Sequence, residues 1–272
     1  MKKRLVSSII FMAILILIMF VNKPVVDTII VTTLSILGIY EYNKAFKNAG
    51  YNPITWVGYL SCGLIFTMGG LMNDSNKVLL TKIGLPTLLI LIFMYMIITN
   101  LKRNVIDVAI TVLSLVYIPF MFSFLKLILM MDQGRILIWY VFLGAFASDV
   151  FAYLVGTKFG KHKLCPSISP NKTVEGLIGG IIGVVISYII LTLIANTYFN
   201  LNLNMITILF AGIIAGLSGV FGDLTASAIK RFCKIKDFSN IIPGHGGILD
   251  RFDSILFVAP VIYMFLKLYI FM

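Results

Sequence analysis

Residues 176–195 read GLIGGIIGVVISYIILTLIA, 20 positions without a single charge. At 1.5 Å per residue such a run forms a helix about 30 Å long, the thickness of the hydrocarbon core of a bilayer. The run is continuous rather than alternating, which speaks against the strands of a membrane barrel. Comparable runs lie on either side, at 5–21, 24–42, 54–72, 83–99, 105–129, 136–156, 203–222 and 254–271. The breaks between them are polar or contain Gly or Pro, as at Asn22-Lys23-Pro24, Lys47-Asn48-Ala49-Gly50 and Asn73-Asp74-Ser75-Asn76-Lys77. Composition agrees: 60% of the 272 residues are hydrophobic and 12% charged, and mean hydropathy is +1.02. A soluble domain is nearer 45–50% apolar with about a quarter charged. The expectation is an all-α integral membrane protein, a polytopic bundle of about nine transmembrane helices. With no repeat and no low-complexity linker, 1–272 reads as one membrane domain. Within it, 1–135 holds the N-terminal transmembrane helices, and 136–272 holds the later spans with two polar loops on one side, where the site is expected.

The first run follows Lys2-Lys3-Arg4, as a signal peptide would, but Phe20-Val21-Asn22-Lys23 is a poor cleavage site. A retained first helix is expected. The net charge of +11 raises the question of nucleic acid. With nine spans, however, 16 of the 22 Lys and Arg fall on the N-terminal side of the membrane. Cytoplasmic loops collect Lys and Arg, so that side is cytoplasmic and the excess reflects topology, with no nucleic acid required. The expected place is the plasma (inner) membrane, multi-pass, with the site toward the cytoplasm. Cys62, Cys165 and Cys233 are isolated and show no ligand-like spacing, so they read as small apolar fillers or idle thiols.

Polar chemistry concentrates in two connections on the charged side. One runs from Gly156 through Lys163 and Ser169-Pro170-Asn171-Lys172-Thr173 to Glu175; the other runs from Asp223 to Ser254. Asp149 lies inside a span, about 10 Å along the helix from its cytoplasmic end. A charge placed there costs on the order of 2.5–3.5 kcal/mol or more, and normally faces a polar cavity or partner. Asp223 closes the eighth span, while Asp250 and Asp253 open the ninth. Asp149 and Tyr153 share a helix face, as do Asp250 and Asp253. Asp223, Ser227, Lys230 and Lys234 would share one too if the eighth helix continues past the membrane. Carboxylates are hard ligands suited to Mg²⁺, and Lys and Arg suit phosphate oxygens. The Gly244-His245-Gly246-Gly247 turn lets backbone N–H groups approach an anion. From the residues alone, this is a carboxylate–metal site with a basic rim at the membrane face. It suits phosphoryl or nucleotidyl transfer to a lipid and leaves the reaction open.

The stretch from Ser227 to Asp253, SAIKRFCKIKDFSNIIPGHGGILDRFD, resembles the signature of phosphatidate cytidylyltransferases, the CDP-diacylglycerol synthases. Ser169–Gly176 and the Asp149…Tyr153…Gly156 run resemble the same family, as does Gly38-Ile39-Tyr40-Glu41 more loosely. The specific likeness covers 144–260. It implies attack by the phosphate of phosphatidic acid on the α-phosphorus of CTP, with release of pyrophosphate, in a membrane of lipids. It implies Asp223 and Asp250 as metal ligands, with Asp223, Asp250, Asp253, Lys230 and Arg231 at the catalytic centre. Substrate would be held by Asp149, Tyr153, Ser169, Lys172, Glu175, Ser227, Lys236, Asp237, His245, Gly246, Gly247 and Arg251. Mg²⁺ is the expected ion, with K⁺ a candidate second cation, and a homodimer is compatible with the family. One position departs: Ala226 stands where the family usually has Glu, and that Glu is taken as peripheral to the chemistry. Other readings of such a chain are a CTP-dependent prenol or dolichol kinase, an ether-lipid CDP synthase, and a transporter or scramblase.

Overall fold

The computed structural model describes residues 23–68, 74–100, 102–241, 244 and 246–267. The expected span at 5–21 and the site residue His245 lie outside the described residues. The helices are α1 (Pro24–Asn48), α2 (Thr55–Met68), α3 (Asp74–Ile98), α4 (Val105–Leu129), α5 (Gly134–Phe159), α6 (Val174–Phe199), α7 (Met205–Phe232) and α8 (Leu249–Phe265). Two short strands, β1 (Lys163–Cys165) and β2 (Ser169–Thr173), form an antiparallel hairpin between α5 and α6. Among the described residues five helices are long and apolar enough to cross a membrane: α1, α4, α5, α6 and α7. The expectation of nine is therefore met in part. Of the span expected at 54–72, residues 55–68 form α2 and 69–72 lie outside the described residues. The polar stretch Asp74-Ser75-Asn76, read as a break, is helical and belongs to α3.

The chain divides into two compact units, each with its own packing. The first holds the described residues through Lys126 together with Phe232–Arg251. Pro24 starts α1 at a position where its missing N–H costs nothing. α1 packs on α2 and on a π-helical turn, Val116–Phe120, that interrupts α4 at Pro119. Proline cannot donate to the ladder, and a widened turn is one way a helix absorbs it. α4 opens with a capping box: Asp107 N donates to Asn104 Oδ1 at 2.8 Å and Asn104 N to Asp107 Oδ2 at 3.2 Å. The other oxygen of Asp107 accepts from Asn52 N at 2.6 Å, which ties the α1–α2 connection to the start of α4.

The second unit holds Leu127–Arg231 and the described residues from Phe252 onward. α5 and α6 lie along one another, pinned inside the apolar region by paired hydroxyls. Tyr188 donates to the Tyr140 carbonyl at 2.6 Å, and Tyr140 and Thr192 hydroxyls meet at 2.7 Å. Thr173 ends β2 and caps α6, its Oγ1 accepting from Gly176 N at 3.1 Å. α7 runs ten residues beyond the expected end at 222, because nothing between Asp223 and Phe232 breaks a helix. Lys234 lies past that end with a left-handed backbone (φ +55°). It therefore leaves the helical face expected for Asp223, Ser227, Lys230 and Lys234; the first three remain on it.

Candidate active site

In the second unit, the last turns of α5, the hairpin, the start of α6 and the middle of α7 enclose a cavity of about 520 Å³. Asp149, Tyr153 and Thr157 reach it from α5, Lys163 from β1, Asn171 and Lys172 from β2, and Asp223 from α7. The i, i+4 spacing of Asp149 and Tyr153 thus places both on one wall. Lys172 Nζ lies 2.5 Å from Asp223 Oδ2 and is sealed from solvent. Ser227, one turn beyond Asp223, donates to its Oδ1 at 3.3 Å. Asp253, on α8, is buried and accepts from Ser254 N at 2.8 Å. The charges of Asp223 and Asp149 act on it unfavourably and that of Lys230 favourably. Acidic and basic groups are therefore interleaved around a polar opening at the ends of apolar helices.

Three other expected residues hold the hairpin. Glu175, in the first turn of α6, accepts from Lys161 N at 3.1 Å and from His162 N at 3.2 Å, and meets His162 Nδ1 at 2.6 Å. It binds the base of the hairpin and is absent from the lining residues of the cavity. Arg231 Nε donates to the Ile168 carbonyl at 3.4 Å, at the hairpin's tip. Ser169 is half-buried in β2, opposite Cys165.

The remaining expected residues belong to the first unit. Asp250, in the first turn of α8, accepts through Oδ2 from Phe238 N at 2.8 Å and Gly247 N at 2.9 Å. It closes the connecting loop on itself. Lys236, Asp237 and Arg251 are exposed, while Gly246 and Gly247 are buried. Burial pushes the Cys233 thiol up to about 11, so at neutral pH it is a thiol and no nucleophile, in keeping with an idle cysteine.

Lys163, Asn171 and Thr157 were not singled out from sequence, although all three line the cavity. Asn171 lies inside the Ser169–Gly176 run, and the available signal was its place beside Lys172. The donor set also bears on the expected metal. Among the described residues no three His, Cys, Asp or Glu side chains stand close enough to enclose an ion. Mg²⁺ is commonly held by one or two carboxylates, with substrate phosphates and water completing its shell. Asp223, with Asp149 in the same cavity, fits that pattern.

The sequence model described as the cytidylyltransferase family matches residues 2–269. The phosphatidate cytidylyltransferase of Staphylococcus haemolyticus (strain JCSC1435) is 36% identical over 189 residues, covering 68% of this chain and 70% of that protein. The protein of the same name from Staphylococcus aureus (strain COL) is 37% identical over 187 residues, with coverage of 68% and 70%. That from Bacillus subtilis (strain 168) is 40% identical over 164 residues, 60% of each chain. A carboxylate–lysine cavity at the ends of membrane-length helices, in a chain matched almost end to end, places this protein in the cytidylyltransferase family.

Proposed function

We propose that the cavity of the second unit binds the phosphates of both substrates and that the protein transfers the cytidylyl group of CTP to phosphatidic acid. The products are CDP-diacylglycerol and pyrophosphate. The observation that carries this reading is the Lys172–Asp223 pair in a cavity also lined by Lys163, Asn171 and Asp149. A phosphate oxygen of phosphatidate forms a bond to the α-phosphorus of CTP, and the bond to the β-phosphate bridging oxygen breaks. The acceptor is already an anion, so no strong general base is needed; positioning and charge neutralisation carry the rate. Lys172 and Lys163 are placed to take phosphate oxygens, and Lys230 to offset the acidic cluster. Asp223 is a carboxylate suited to Mg²⁺, which when bound would neutralise the triphosphate charge; Asp250 is kept as a second ligand on the family resemblance. The serine hydroxyl at 227 orients the Asp223 carboxylate.

We also propose that the cavity opens to the cytoplasm of the plasma (inner) membrane, because most Lys and Arg fall on that side. The reading is tested with γ-labelled CTP and purified protein in detergent. Labelled pyrophosphate should appear only when CTP, phosphatidate and Mg²⁺ are all present. Release without phosphatidate would make the chain a hydrolase and defeat the proposal.

A further inference from the structure

Glu41 lies in α1, one of the helices apolar enough to cross a bilayer, and is completely buried (0% exposed). A carboxylate is costly in such a place unless its oxygens are filled. They are. Oε1 accepts from Ser239 Oγ at 2.5 Å and Ile248 N at 2.9 Å, and Oε2 from Leu249 N at 2.8 Å. All three donors lie about two hundred residues further along the chain, in the middle and at the far end of the loop that follows α7. Leu249 is the first residue of α8, so the acid also sits at the positive end of that helix.

The fit is close. A Cβ on Gly247 would come within 2.5 Å of Glu41 Oε1 and 2.6 Å of Oε2, so a side chain there would push the carboxylate off its donors. Asp250 grips the same loop through Phe238 N and Gly247 N. Five polar groups of the loop, at 238, 239, 247, 248 and 249, are thus distributed between two carboxylates.

We propose that Glu41 is a positioning residue for the transfer reaction: its buried carboxylate fixes the backbone at Ser239 and at Gly247–Leu249, and with it the place of Asp250 and Arg251 in the first turn of α8. The role of Asp250 rests on the proposed function; the tether does not. A cap that only added stability would leave turnover of the folded enzyme unchanged. A positioning residue acts on kcat, because the reacting geometry is degraded while substrate binding persists.

The test uses the full-length protein in detergent with Glu41→Gln and Glu41→Asp. Gln has one acceptor oxygen, and its NH₂ would face a backbone N–H, leaving buried donors unsatisfied. Glu41→Gln should lower kcat about 10- to 100-fold, the range for groups that support a ligating carboxylate. KM for CTP should move by less than about threefold. Tryptic cleavage after the exposed Lys236 should accelerate about tenfold as the loop is released. Glu41→Asp keeps the charge and should recover part of both losses, and Gly247→Ala should reproduce them. Wild-type kcat in Glu41→Gln overturns the proposal, whether or not cleavage accelerates. If Glu41→Gln does not fold, Ser239→Ala, which removes one donor, takes its place, and unchanged kcat there has the same meaning. If the unaltered protein makes no CDP-diacylglycerol, the proposed function fails and the tether is judged on the cleavage rates: unchanged cleavage in Glu41→Gln overturns it, and acceleration upholds it.

Discussion

The ammonium of Lys172, on a hairpin strand and sealed from solvent, meets the half-buried carboxylate of Asp223, in the middle of α7, at 2.5 Å. The sealed ammonium needs a counter-charge there, and Asp223 supplies it. Lys172→Met keeps the length of the side chain and removes the charge. It should lower kcat/KM for CTP about 10- to 150-fold, the worth of a charge-assisted hydrogen bond of about 1.5–3 kcal/mol. Asp223→Asn should lose activity more completely, and the double variant should be no worse than Asp223→Asn, because the two groups act as one unit. Steady-state kinetics of the three variants decides; strictly additive losses would separate the pair.

Asp250→Asn isolates charge from shape. The Asn carbonyl oxygen can still accept from Phe238 N and Gly247 N, so the loop should keep its form. Activity should fall below detection at moderate Mg²⁺ while the thermal midpoint and the tryptic pattern stay unchanged. Near-normal turnover in Asp250→Asn would remove Asp250 from the metal site.

Ala226, where the family usually has Glu, is completely buried one turn beyond Gly222. At Gly222 a Cβ would already fall 2.5 Å from the Asp253 carbonyl oxygen, so this stretch of α7 is packed for small residues. Ala226→Glu should therefore destabilise the protein, by about 1–3 kcal/mol for overpacking alone, and bring no gain in turnover. Thermal unfolding in detergent measures the first and a Mg²⁺ titration the second. A fall in the Mg²⁺ midpoint with stability intact would show that position 226 faces the ion.

Glu175 accepts three hydrogen bonds from Lys161 and His162, and two of them are from backbone N–H groups. The backbone bonds hold the hairpin, whereas the His162 side chain is largely exposed and its contact with Glu175 is screened by solvent. Glu175→Ala should reduce turnover by releasing the hairpin that carries Lys163 and Lys172, and His162→Ala should leave it close to wild type. Equal losses in the two variants would shift the weight to the histidine.

The long apolar runs were legible because a bilayer demands them: 24–42, 105–129, 136–156 and 176–195 lie within membrane-length helices, and 203–222 does so from Met205 onward. Their ends were not, since helices α1, α5 and α7 continue through Lys44–Asn48, Thr157–Phe159 and Asp223–Phe232, where hydropathy stops but nothing breaks the helix. The hairpin was hidden as well. Lys163–Thr173 has no apolar alternation, and Pro166 and Pro170 argue against strands. Of the expected site residues, Asp149, Tyr153, Lys172 and Asp223 line one cavity; Asp149 stands out in the sequence because charge inside an apolar helix is rare. Glu41 was noticed only as part of a loose likeness. Its partners lie 198 to 208 residues away, and no local pattern announces a contact at that distance.

Transfer of the cytidylyl group to lipid is tested most directly by following the α-phosphorus of CTP. Purified protein in detergent is given α-labelled CTP, phosphatidate and Mg²⁺, and the products are partitioned between chloroform and water. The label should enter the chloroform phase as CDP-diacylglycerol, mole for mole with pyrophosphate released, and Asp223→Asn should abolish both. Label that stays in water as CDP, with a phosphorylated lipid appearing in its place, would make the protein a kinase and contradict the account.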